Sequence, residues 1–301
     1  MAVTISRRLF LLAAIFAYLQ IALGGVVRVS GSGLGCPDWP LCHGRPYPPA
    51  NLNSIIEYSH RTVGAITGVL IIAAVVAAWA VWRNRRPAVA WLATASLAAV
   101  AVEGGLGGVV VVSELTPWLV AVHLGLAMII LGCLIATAVL SMSESAGIES
   151  VPFNRLASAA VAATYVLLLT GSSVVASRAD ESCNSWPLCG GGFTPDFSGA
   201  SAFTMLHRGF ALFAGVLIFI FLVAAYRRGL RLSAIAAMVL LLAQVAVGAA
   251  AAITNAAAAN GLHVALATLV WSSVLTTALL ALPRSDRVKQ HTRLQVQQTT
   301  G

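Results

Sequence analysis

Long apolar runs broken by short polar joints make up nearly the whole chain. Eight of them are long enough to cross ~30 Å of hydrocarbon at ~1.5 Å of helix rise per residue. They lie near Leu9–Val29, His60–Trp82, Ala88–Val112, Trp118–Leu140, Leu156–Ala176, Phe203–Tyr226, Leu232–Thr254 and Leu262–Leu282. The first run is too long for a signal-peptide core, and no small-residue cleavage site precedes the cysteines after it, so it is read as retained. Residues 141–154 form the only polar linker between two sets of four runs. After Pro283 the chain is polar and rich in Gln and Thr, a composition that predicts disorder. The expected division is 1–140, a linker 141–154, 155–283, and a tail 284–301.

The polar joints repeat. Cys36-Pro-Asp-Trp-Pro-Leu-Cys42 is followed by Glu57-Tyr-Ser-His60-Arg61. Cys183-Asn-Ser-Trp-Pro-Leu-Cys189 is followed by Met205-Leu-His207-Arg208. The cysteines, the Trp-Pro-Leu and the His-Arg all recur at one offset of 147 residues, which points to two copies of one unit. An even number of runs per copy makes both copies run the same way, a parallel repeat about the membrane normal. The predicted fold class is an all-α integral membrane protein, with eight transmembrane helices as two parallel-repeat four-helix bundles. The copies differ at one telling place: Glu57 precedes His60 by three residues, and Thr204 stands in its place before His207.

Composition narrows the class. Of 301 residues, 59% are hydrophobic and 9% charged, which excludes a soluble domain. The basic residues sort by side. Arg7 and Arg8, Arg83, Arg85 and Arg86, Arg155, Arg227, Arg228 and Arg231, and Arg284, Arg287, Lys289 and Arg293 all fall at one end of the runs. That end is predicted to be cytoplasmic, with both termini on it and the cysteine loops outside. The net charge of +8 is thus a matter of topology, and no nucleic-acid partner is needed to explain it. An exported compartment favours disulfides between Cys36 and Cys42 and between Cys183 and Cys189. The rival is a metal site, weakened because His43 is the only histidine in either loop. Cys133 reads as a small packing residue. Gly104 and Gly108, four apart, predict close helix contact.

Four histidines carry the candidate chemistry. His60, His123, His207 and His263 start the second, fourth, sixth and eighth runs, so they form one layer near the outer boundary. Imidazole in lipid is costly and marks function. Two histidines from neighbouring helices of a four-helix unit can clamp a haem iron. Simple hydrogen bonding to a neighbouring helix is the bland alternative, and a copper or zinc site using all four is another. Arg61 and Arg208 break the positive-inside pattern, so haem propionates or lipid headgroups are their candidate partners. Arg28 and Arg178 are alternatives. Glu57 can share a helix face with His60 and act on protons, or simply favour a helix start. Glu103 is an acid within the third run. Gln244 holds a similar place in the seventh, so a polar interhelical contact is expected for both.

Taken together, the chain resembles the haem A synthase family across all eight runs. The resemblance rests on Gly24-Gly25-Val-Val-Arg28, Ser30-Gly-Ser-Gly-Leu-Gly-Cys36 through Cys42, Glu57-Tyr-Ser-His60-Arg61, His123, the loop from Cys183 to Cys189, His207-Arg208 and His263. It implies oxidation of the C8 methyl of haem O to a formyl group through a hydroxymethyl intermediate. It implies haem-iron ligands at His60, His123, His207 and His263, a catalytic Glu57, and loop cysteines matching the family's at both pairs. Haem O is then the substrate in the N-terminal half, and haem B the cofactor in the C-terminal half. Haem O synthase and an electron-transfer protein are the implied company, and a homo-oligomer is compatible. A di-haem b-type electron-transfer cytochrome and a haem carrier are the competing functions.

Overall fold

The computed structural model describes residues 1–142, 147–191 and 193–282. Eight long helices dominate: α1 (Ala2–Val29), α2 (Leu52–Trp82), α3 (Pro87–Val112), α4 (Pro117–Met142), α5 (Val151–Ala176), α7 (Ser201–Arg227), α8 (Arg231–Thr254) and α9 (Ala257–Ala281). A single turn, α6 (Ala179–Ser182), precedes the second cysteine loop. All eight long helices are long and apolar enough to cross a membrane, and the described residues contain no strand. This is an all-α, multi-pass membrane protein.

Local chemistry sets the helix ends. The Asn51 side chain accepts the Ser54 N–H at 2.9 Å and starts α2. Pro87 and Pro117 sit in the first turns of α3 and α4, where a missing N–H costs nothing. Gly229 and Asn255, with φ of +94° and +47°, turn the chain after α7 and α8. Several helices begin before the apolar run that announced them. α2 starts at Leu52, well ahead of His60, and α7 and α9 start at Ser201 and Ala257. The first turns mix small, polar and apolar residues, and the apolar run marks the hydrocarbon layer rather than the helix. For the same reason α4 runs to Met142 and α5 starts at Val151, inside the predicted linker 141–154. Residues 143–146 of that linker, and the tail 284–301, lie outside the described residues.

Helix packing follows one scheme twice. α1 packs on α2 and α4, α2 on α3, and α3 on α4. α5 packs on α7 and α9, α7 on α8, and α8 on α9. The two sets meet where α1 touches α9 and α4 touches α5 and α9. Small residues let α4 approach: a Cβ on Gly125 would sit 3.0 Å from Leu169, and one on Gly132 would sit 3.4 Å from Trp271. Tyr165 Oη donates to Gly125 O at 3.2 Å, and Trp271 Nε1 to Met128 O at 3.1 Å. These bonds satisfy polar groups that lipid cannot. At the end away from the cysteine loops, Arg7 and Arg86 donate to the carbonyls of Ser141 and Leu140 at 2.7 and 2.5 Å, closing the C-terminus of α4.

The expectation for Gly104 and Gly108 is corrected. A Cβ on Gly104 would meet nothing within 4 Å, and one on Gly108 would meet the Trp39 ring at 3.0 Å, a loop rather than a helix. Four-residue spacing defines a face but not what lies across from it.

Candidate functional site

All four histidines stand at the end of the bundle that carries the cysteine loops. His60 is the ninth residue of α2, and His123, His207 and His263 are each the seventh residue of α4, α7 and α9. All are half-buried. His60 and His123 stand on α2 and α4, which both pack on α1 and α3, and His207 and His263 on α7 and α9, which both pack on α5 and α8. The pairs therefore form within each set of four helices.

Each imidazole lies against a glycine of a neighbouring helix. A Cβ added at Gly24 on α1 would sit 3.1 Å from His60 Cε1, and at Gly107 on α3 3.4 Å from His123 Cε1. At Gly171 on α5 it would sit 3.2 Å from His207 Cε1, and at Gly248 on α8 2.7 Å from His263 Cε1. The glycines thus make room for ring and backbone side by side. A polar side chain near each glycine reaches the same ring. Gln20 Nε2 is 3.3 Å from His60 Nε2, and Gln244 Nε2 is 3.3 Å from His263 Nε2. Thr170 Oγ1 is 2.9 Å from His207 Nδ1. Glu103 Oε1 is 3.0 Å from His123 Nδ1, within ion-pair distance but not aligned as a hydrogen bond. The polar contacts expected for Glu103 and Gln244 are present, and their partners are the histidines. Gln20, Thr170 and the ring-facing role of the glycines escaped the sequence reading. A signal existed: Gln20, Glu103 and Gln244 each precede their glycine by four residues, which puts both on one helix face.

Glu57 and the arginines serve the loops. Cys36 is disulfide-bonded to Cys42, and Cys183 to Cys189. Glu57 is buried; its Oε2 accepts the Cys36 N–H at 2.7 Å and its Oε1 pairs with Arg61. Arg61 also donates to the carbonyls of Asp38 and Cys36 at 2.7 Å and of Leu41 at 2.6 Å. Arg208 does the same in the second loop, donating to Ser185 O at 2.8 Å and Pro187 O at 3.0 Å. Both guanidinium groups thus clamp disulfide loops. Of the other proposed propionate partners, Arg28 is exposed in the last turn of α1, and Arg178 is exposed with a φ of +52°. Thr204 follows a different course from Glu57 and donates to Ala179 O at 3.2 Å. Within the first loop, the Gly44 amide above all, with that of His43, holds the Asp38 carboxyl below its ordinary pKa.

The residues fit a haem with two axial ligands. Each half offers two imidazoles facing glycine clearings. His60 Nδ1 and His263 Nδ1 are buried polar atoms with no hydrogen-bond partner. Among the described residues, no cluster of three or more His, Cys, Asp or Glu side chains forms a cage for a bare metal ion.

A family model described as cytochrome oxidase assembly protein (COX15-CtaA) matches residues 7–55 and 51–275. The chain belongs to that family. A protein of Shouchella clausii named Heme A synthase is 30% identical over 292 residues, which cover 91% of this chain and 96% of the relative. One of Halalkalibacterium halodurans with the same name is 31% identical over 287 residues, 89% of this chain and 92% of the relative. Another, from Symbiobacterium thermophilum, is 32% identical over 250 residues, 77% and 80% of the two chains.

Proposed function

We propose that this chain is a haem A synthase, an oxidoreductase that converts the C8 methyl of haem O to a formyl group. Two things support the reading: near full-length similarity to proteins of that name, and two separate histidine pairs with an acid beside only one. The second observation carries the assignment of halves. His60 and His123 hold the haem O being oxidised, with Glu57 as the catalytic carboxylate. His207 and His263 hold a resident haem B, which supplies one-electron transfer. Two copies of a four-helix unit related by an axis along the membrane normal account for the matched packing. The cysteine loops face outward, and both termini face the cytoplasm, as the arginine distribution requires.

Glu57 acts as a fixed negative charge. Both of its oxygens are engaged, one by the Cys36 amide and one by Arg61. A carboxylate so held steadies positive charge developing on the substrate more readily than it strips a proton from carbon. The disulfide loop is its mount. Arg61 and Arg208 act through the loops.

Pigment analysis tests the function. The chain is co-expressed with a haem O source, and haems are extracted and identified by mass. Haem A is the expected product. Haem B alone points to an electron-transfer cytochrome, and unaltered haem O moved between membranes points to a carrier; either result overturns the proposal.

A further inference from the structure

We infer that Thr170, with Glu103 leaning the same way, is a positioning residue that holds its histidine in one tautomer, protonated at Nδ1 with the Nε2 lone pair available to iron. The inference rests on the haem-ligand reading above and deepens it.

The argument is an inventory of donors and acceptors. The amides of Gln20 and Gln244 lie 3.3 Å from His60 Nε2 and His263 Nε2, where either end of the amide can bond the ring nitrogen. Thr170 has a single hydroxyl proton and gives it to Leu167 O at 2.8 Å. Its oxygen is left to accept from His207 Nδ1–H at 2.9 Å. A carboxylate can only accept, so Glu103 beside His123 Nδ1 draws the ring proton to the same side. A hydroxyl on α5 and a carboxylate on α3 thus favour one outcome, one in each half. Packing alone gives no reason for that agreement. Gly64, one turn beyond His60 on α2, leaves the room for Gln20, since a Cβ there would lie 2.9 Å from the Gln20 amide nitrogen.

The devices also divide by which edge of the ring they touch. Thr170 and Glu103 stand behind their histidines at Nδ1, so they stay in place when Nε2 binds iron. There they raise the basicity of the ligand, as carboxylate and carbonyl partners do behind other metal-bound histidines. Gln20 and Gln244 stand at Nε2 itself, so iron replaces them. Each half has one histidine anchored from behind, His123 or His207, and one whose ligating nitrogen is covered by a releasable amide, His60 or His263.

The test uses the haem-loaded full chain, purified from cells without a haem O source. Redox titration and low-temperature EPR are read on the resident haem. Thr170→Val should raise its midpoint potential and alter its low-spin g values, because the imidazole loses its acceptor and donates less to iron. Thr170→Ser should restore both. Gln244→Leu should leave both at wild-type values, because that amide does not touch Nδ1. Should Val strip the haem, Thr170→Ala is read in its place; if both strip it, retention by Thr170→Ser still shows the hydroxyl to be required. Loss of haem from the Ser variant as well, an unmoved potential in Thr170→Val, or an equal shift in Gln244→Leu would overturn the inference. Failure of the underlying haem reading looks different: His207→Ala would then keep its full haem content.

Discussion

A glycine against an imidazole is the smallest working unit of this site, and its four copies are not equally tight. Alanine at Gly248 places a methyl 2.7 Å from His263, at Gly24 and Gly171 3.1 and 3.2 Å from their rings, and at Gly107 3.4 Å from His123. Gly248→Ala should therefore lose more resident haem than Gly171→Ala, with Gly104→Ala unchanged because its surroundings are open. Haem-to-protein ratios of the purified variants check the order; a large loss in Gly104→Ala would refute it. Glu57 makes a second prediction. Glu57→Gln keeps an acceptor for the Cys36 amide but removes the charge. It should bind haem O nearly normally while haem A formation falls by ~10²-fold or more, with the hydroxymethyl intermediate accumulating. Glu57→Asp should retain part of the activity. Normal haem A yield from the Gln variant would reduce Glu57 to a loop anchor. The histidines and Glu57 stood out in the sequence because ionisable groups are rare in apolar runs. Gln20 and Thr170 did not, because a lone polar residue on a helix carries no mark of what lies across from it.

Helices and loops were legible to different depths. Eight spans and their order followed from apolar run length alone, while the starts of α2, α7 and α9 did not, because a helix can extend beyond the hydrocarbon layer. The disulfide pairs were expected from spacing and compartment, and they are present. What the sequence left ambiguous was the role of Arg61 and Arg208. Headgroup, propionate and loop carbonyl all suit a guanidinium, and only geometry shows the carbonyls taken. Arg61→Gln should release the first loop, since charge-assisted bonds of this kind are worth about 1.5–3 kcal/mol. Hydrogen exchange should speed up at the amides of residues 36–42 and stay unchanged at 183–189; equal exchange in both loops would contradict the clamp. The disulfides add ~2–3 kcal/mol to each short loop on the chain-entropy model. Mass spectrometry of non-reduced peptides from active protein should find both pairs linked, and alkylatable thiols at Cys36 and Cys42 would count against that.

Across the whole molecule, two four-helix sets share one packing scheme and one histidine layer yet differ in the side chains around the histidines. The difference comes down to Glu57 against Thr204, and to which ring edge Gln20, Glu103, Thr170 and Gln244 touch. The joint between the sets, built on Gly125, Gly132, Tyr165 and Trp271, keeps the two sites in one body. If the N-terminal set turns over haem O and the C-terminal set keeps a permanent haem, the four histidines must fail differently. The direct measurement is bound haem B, with haem A yield, in His60→Ala, His123→Ala, His207→Ala and His263→Ala, each co-expressed with a haem O source. The two C-terminal variants should lose tightly bound haem B. The two N-terminal variants should keep it and stop making haem A. Equal haem B loss from all four would contradict the division of labour between the halves.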